Sequence, residues 1–167
     1  MGDAGHDGPL VGIVMGSESD LRVMRAAAEV FGELGVGCEL RVSSAHRTPE
    51  RTLEYARSAE GRGIRVIIAG AGMAAHLAGS IAAWTILPVI GVPLSGTSAL
   101  GGVDALLSTV QMPSGVPVAA VAVDGARNAA WLAAEILALG DPGLASRVRA
   151  AREAAARAVA EADGRLP

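Results

Sequence analysis

The chain has 167 residues, 51% of them hydrophobic, 19% charged and 2% aromatic, with 14 basic and 17 acidic side chains and a net charge of -3. All 14 basic residues are arginine, so these residues offer no lysine for a Schiff base, a pyridoxal-phosphate or biotinyl linkage, or a Walker A loop. The one cysteine, Cys38, excludes an intrachain disulfide, a CxxC pair and a cysteine-rich metal site; it suits a reducing, cytoplasmic setting and reads as a small buried residue.

Residues 1–9 carry Asp3, His6 and Asp7 where a signal peptide needs a basic and then an apolar run, and they read as a frayed leader. The apolar run 10–15 is a strand, followed by the turn Gly16-Ser17-Glu18-Ser19-Asp20 and a helix with apolar residues at Leu21, Met24, Ala28, Phe31 and Leu34. A second strand covers 37–42 and a loop 43–47. Thr48, Pro49 and Glu50 then supply an N-cap, a helix-compatible proline and a first-turn acid for a helix ending near 61–63. The third strand spans 64–69, a glycine-rich turn 70–75, a helix 76–86 and the fourth strand 88–92. A helix at 102–110, a fifth strand at 117–123 and a helix at 126–139 complete an α/β domain over 10–140. After the break at Asp141-Pro142, Leu144, Val148, Ala151, Ala155 and Val159 form a narrow stripe on a last helix within 141–167. Its charges at Arg149, Glu153, Arg157 and Glu161 fall four apart, each pair worth ~0.2–0.5 kcal/mol. Following a complete α/β unit, this helix is expected to pack on a neighbouring subunit, the alternative being a solvated tail.

Strands that are apolar throughout, such as Val66-Ile67-Ile68-Ala69, suit a parallel sheet covered on both faces. Five βα units predict a three-layer α/β/α sandwich, doubly wound, with strand order 2-1-3-4-5. Between Val66 and Val123 the only formally charged side chain is Asp104. Glycines and prolines cut that stretch into pieces too short to span a bilayer, which needs ~20 apolar residues. A soluble core plus subunit contacts explains it better, and a homo-oligomer is expected. With four aromatics and no basic cluster, nucleic acid is excluded as a partner and small molecules are favoured.

In a doubly wound sheet the first three βα loops collect at the carboxyl edge. The Gly16–Asp20 loop offers backbone NH groups and serines that can hold phosphate, and Asp20 can accept from sugar hydroxyls; Ser19 or Asp20 could equally be a helix cap. The loop Ser43-Ser44-Ala45-His46-Arg47 brings a histidine able to exchange protons near neutral pH beside a permanent cation. The segment Gly70-Ala71-Gly72-Met73-Ala74-Ala75-His76-Leu77 lacks the last glycine of a dinucleotide fingerprint and reads as a small-residue loop open to a compact anion. His76 is either part of that loop or a hydrogen-bonded core histidine. No metal-ligand spacing and no Gly-x-Ser-x-Gly elbow are present.

Taken together, 14–20, 43–49, 67–77, 88–93 and Val110-Gln111-Met112-Pro113 resemble the PurE family in its class I form, over nearly 10–160. The resemblance implies an octamer of flavodoxin-like subunits that moves a carboxylate from N5 to C4 of an aminoimidazole ribonucleotide without ATP, metal, biotin or other cofactor. It implies that Ser19, Ser44 and Arg47 hold phosphate, that Asp20 holds the ribose hydroxyls, and that Ser17 and Ala45 line the substrate site. His46 would be the proton shuttle. Gly72, Ala75, His76 and Leu77 would form a lid confining the carboxylate or transient carbon dioxide. Met73 stands where the family commonly has glycine, and Ala78 where it commonly has proline. The nearest alternatives are a class II carboxylase using carbon dioxide directly and, from another class, a flavin- or nucleotide-binding module that would not need His46.

Overall fold

The computed structural model describes residues 8–166. The frayed-leader expectation falls mostly on 1–7, outside the described residues. Among the described residues, five strands alternate with helices: β1 Val11–Met15, α1 Leu21–Leu34, β2 Cys38–Val42, α2 Pro49–Ala59, β3 Val66–Gly72, α3 Leu77–Ala82, β4 Val89–Leu94, α4 Val103–Val110, β5 Ala119–Ala120, α5 Ala126–Ala138 and α6 Pro142–Asp163. Every strand pairing is parallel and the order is β2-β1-β3-β4-β5, the doubly wound order expected.

Successive strand residues point to opposite faces, and here both faces are buried. Val11, Ile13 and Met15 of β1, Val66 and Ile68 of β3, and Ile90, Val92 and Leu94 of β4 join Met24, Val30 and Phe31 of α1 and the alanines of α5 in the larger core. Val14, Ile67, Ala69 and Val89 face the other way, against Ala56 and Ala59 of α2 and Leu77, Ala78 and Ile81 of α3. Thr109 of α4 and Ala78 crowd the same side of Gly91, which places α4 on this second face. Each large apolar side chain so buried contributes about 1.5–3 kcal/mol. Gly12 is required in β1 by packing, because a Cβ there would overlap the Tyr55 hydroxyl reaching across from α2.

Several boundaries differ from expectation. β3 runs on through Gly72, since parallel pairing with β4 continues to Gly72 opposite Leu94; the first half of the residues expected as a turn, 70–72, is strand. α3 is only six residues, and β5 is two, because Val121 and Asp124 donate their NH groups to Gly91 and Pro93 from irregular backbone. Thr48 occupies the N-cap position of α2 without capping it, its hydroxyl instead closing a turn with the Ser44 NH and carbonyl, both at 3.0 Å. Cys38 is half-buried rather than buried, and burial pushes its thiol pKa up, away from reactivity.

The last helix starts on the chain's own core. Leu144 and Val148, one turn apart, are buried in the chain's own larger core, Asp141 caps the helix through the Leu144 NH at 2.9 Å, and Arg147 Nε donates to the Leu34 carbonyl at 2.8 Å. Beyond Ala151 the helix is exposed, Val159 included.

Candidate active site

The carboxyl ends of β1, β2, β3 and β4 open onto one cleft of about 540 Å³, a volume within the range of small-molecule sites. It is built from the three loops the sheet topology selects and a fourth. From the first, Ser17, Ser19 and Asp20 line it, joined by Arg22 of α1; from the second, Ser44, Ala45, His46 and Arg47; from the third, Ala71 to Ala74, His76 and Leu77. Ala75 is the exception among the expected residues, being 2% exposed and outside the cleft lining.

The first loop is a pre-built cradle. Ser17 caps the 3-10 turn Glu18–Asp20 as half of a capping box, and Asp20 closes the box by accepting from the Ser17 NH at 2.9 Å. Ser19 Oγ donates to Ser17 Oγ at 3.0 Å. Neither Ser19 nor Asp20 is the helix cap expected: Ser17 caps the 3-10 turn, and Asp20 stands at the N-cap position of α1 without a side-chain cap bond, one oxygen engaged by the Ser17 NH while the side chain lines the cleft. Burial raises the Asp20 pKa, opposed by the hydrogen bond from Ser17 and the charge of Arg47.

The second loop is tied to the first. Arg47 donates to the Gly16 carbonyl at 2.8 Å and through Nε to Ser44 Oγ at 3.4 Å, so its guanidinium is held over the β1 loop. Behind it, the buried Ser43 and Thr52 hydroxyls share a hydrogen bond at 2.8 Å, anchoring the loop to α2. The third loop leaves β3 at Met73, whose φ of 55° is unusual for a side-chain-bearing residue, and turns so that the His76 NH reaches the Ala74 carbonyl at 2.9 Å. His76 is exposed at the start of α3 and is not a core histidine. It meets His46 directly: Nε2 of His46 and Nδ1 of His76 are 2.6 Å apart, with the rings edge to face.

The fourth contributor is Ser95-Gly96-Thr97, directly after β4. Sequence reasoning stopped at three loops; the rule that ligands gather at strand carboxyl ends, applied to the fourth strand, would have found it. Arg22 was missed because it lies inside the helix. Among the described residues no group of three or more His, Cys, Asp or Glu side chains is placed to hold a metal ion, and no helix is long and apolar enough to cross a membrane.

The AIR carboxylase family model matches residues 10–158. The N5-carboxyaminoimidazole ribonucleotide mutase of Pyrococcus horikoshii is 58% identical over 95% of this chain and 89% of its own, and that of Thermotoga maritima is 56% identical over 95% and 92%. The phosphoribosylaminoimidazole carboxylase of Schizosaccharomyces pombe is 59% identical over 83% of this chain, which matches 25% of that longer protein. Among solved structures, Treponema denticola PurE superposes with a TM-score of 0.83 at 30% identity, covering 95% of this chain and 98% of that one.

Proposed function

The chain belongs to the AIR carboxylase family, and on that premise we propose that it is an N5-carboxyaminoimidazole ribonucleotide mutase of purine biosynthesis. The observation that carries the reading is the His46–His76 contact in the same cleft as Arg47 and Asp20. A permanent cation beside serines and free backbone NH groups suits a phosphate, and a carboxylate suits ribose hydroxyls. We assign Ser19, Ser44 and Arg47 to the phosphate, Asp20 to the ribose, and Ser17 and Ala45 to the walls.

The reaction needs one proton delivered and one removed. Breaking the N5–carboxylate bond releases carbon dioxide as N5 takes a proton. Attack of C4 on the carbon dioxide then forms the new C–C bond, and C4 gives up its proton. No proton is consumed overall, so one group that alternates between acid and base suffices, and His46 is that group. Gly72, Ala75, His76 and Leu77 form the lid that keeps carbon dioxide at high effective concentration.

Leu100, Val103, Leu107 and Val110 are all about half exposed or more and recur at helical spacing along α4 and its approach. With Asp104 the only formal charge from Val66 to Val123, they support a homo-oligomer, and resemblance to the family supports an octamer with the exposed end of α6 crossing to a neighbour. The sole cysteine supports a cytoplasmic setting.

A second reading, carboxylation of aminoimidazole ribonucleotide by carbon dioxide, is favoured by the Schizosaccharomyces pombe relative, whose name is that of a carboxylase. Supplying the purified protein with the N5-carbamate in labelled bicarbonate separates the two. The mutase converts the carbamate with little label in the C4 carboxylate; heavy labelling, or activity only on the uncarboxylated nucleotide with carbon dioxide, establishes the second reading instead.

A further inference from the structure

We propose that Asp124 is a positioning residue of the cleft, fixing its fourth wall by holding Ser95 through both the backbone NH and the side chain. Asp124 follows β5 and does not line the cleft itself. Its carboxylate accepts from the Ser95 NH through Oδ1 at 3.0 Å and from the Ser95 hydroxyl through Oδ2 at 2.6 Å. Hydrogen bonds to an ionised acceptor are the stronger kind, and two of them onto one residue fix both its backbone and its χ1. Asp124 is itself held: its NH donates to the Pro93 carbonyl at 2.8 Å, and its carbonyl accepts from the Ala126 NH at 3.0 Å as α5 begins.

The backbone at Asp124 lies at φ 57°, in the left-handed region that disfavours side chains. Aspartate tolerates that region better than most residues, and the observed strain coincides with the double hydrogen bond to a residue that lines the cleft. On its other side Ser95 is backed by Gly102, where a Cβ would come within 3.1 Å of Ser95 Cα. The rest of the loop is pinned in turn, the Ser98 NH to the Ser95 carbonyl at 3.0 Å and the Ser98 hydroxyl to Asp104 at 2.8 Å. Ser95 is thus gripped between the end of β5 and the start of α4, and Gly96 and Thr97 extend from it along the cleft. Since the Ser95 hydroxyl proton is committed to Asp124, the oxygen has only lone pairs left to offer a ligand, which suits an N–H donor.

The substrate side of this inference rests on the ribonucleotide reading of the cleft, whereas the grip on the loop does not. The test uses the full-length protein and four variants: Asp124→Gly, Asp124→Asn, Ser95→Ala and the Asp124→Gly/Ser95→Ala pair. Glycine removes both acceptors while relieving the left-handed backbone, so its thermal midpoint should hold. Its KM for the N5-carbamate should rise about three- to tenfold with kcat within about twofold, the signature of lost binding rather than lost chemistry. Asparagine, which keeps an acceptor and tolerates the backbone, should recover most of the loss, and the double variant should be no worse than Asp124→Gly alone. Independently of any substrate, amide exchange at 95–98 should quicken in Asp124→Gly. Unchanged KM and unchanged exchange would overturn the proposal, as would a KM change that only follows a fall in thermal midpoint. If the wild-type protein does not convert the carbamate, the mutase reading fails, and the exchange result alone decides whether Asp124 holds the wall.

Discussion

His46 Nε2 and His76 Nδ1 are 2.6 Å apart although thirty positions separate them in the chain. Each comes from its own loop at the carboxyl edge of the sheet, β1 lying between the strands that deliver them. At that distance one imidazole donates and the other accepts, the tautomer of each ring deciding which. Replacing His46 by asparagine preserves a polar side chain but not the proton chemistry. His46→Asn is expected to lower kcat at least about 100-fold while the ribonucleotide still binds, measured by turnover and by calorimetric titration of one sample. Near-wild-type turnover would remove His46 from the mechanism.

Asp20 gives a prediction in which binding and stability move apart. Burial raises its pKa above the ordinary 3.8, the Ser17 hydrogen bond and Arg47 charge offsetting only part of that. A carboxyl group with a raised folded-state pKa binds protons more tightly folded than unfolded. Its favourable contribution is present below the unfolded pKa and is lost as pH rises through the folded pKa. At neutral pH the ionised Asp20 therefore carries a cost, and Asp20→Asn should unfold no more easily than wild type while binding the ribonucleotide at least about tenfold more weakly. Thermal melting and titration at pH 7 check both; lower stability with unchanged affinity would make Asp20 only a loop cap.

Glu39 predicts the opposite pH dependence. Burial pushes its pKa up, but hydrogen bonds from Arg62 at 2.7 Å, Arg41 at 2.8 Å and the Tyr55 hydroxyl at 3.0 Å outweigh it, and the net direction is down. A lowered folded pKa gives stability that is present above the ordinary 4.5 and lost as pH falls through the folded value. Both arginines are more than a third exposed, so solvent screens the pair. Glu39→Gln should cost about 1–2 kcal/mol at pH 7, and the difference from wild type should close in acid. Denaturant titrations across that range measure it; a difference independent of pH would contradict the charge argument.

The uncharged middle of the chain predicts association. Leu107 is 52% exposed on α4 in line with Val103 and Val110. Light scattering should find a mass well above one subunit, and Leu107→Glu, which places a charge within that apolar stripe, should reduce it. A monomer at micromolar concentration for the wild-type protein would contradict the assembly.

How much of this was legible in the sequence depends on the range of the interaction involved. The fully apolar strands, the recurring strand-turn-helix units and the order 2-1-3-4-5 follow from local pattern and the handedness of crossovers, and Ser17, Asp20, His46 and Arg47 follow from lying just after strands. Those features need only neighbours in sequence and the rule that loops at strand carboxyl ends converge. The hold of Arg47 on the Gly16 carbonyl depends on the pairing of β1 with β2, and the meeting of His46 with His76 and the burial of Ala75 depend on how far β3 extends and where its loop turns. Backbone pairing with β4 decides that. So does Asp124: a lone acid after a short last strand carries no periodic signal, and only packing of the β5 end against the β4 loop places its carboxylate on Ser95. Local sequence thus determined which elements form and which residues stand at the sheet edge, because helix and strand periodicities and turn chemistry act over a few residues. The tertiary structure decided which of those residues touch, because hydrogen bonds between loops distant in sequence exist only once the sheet has set their spacing.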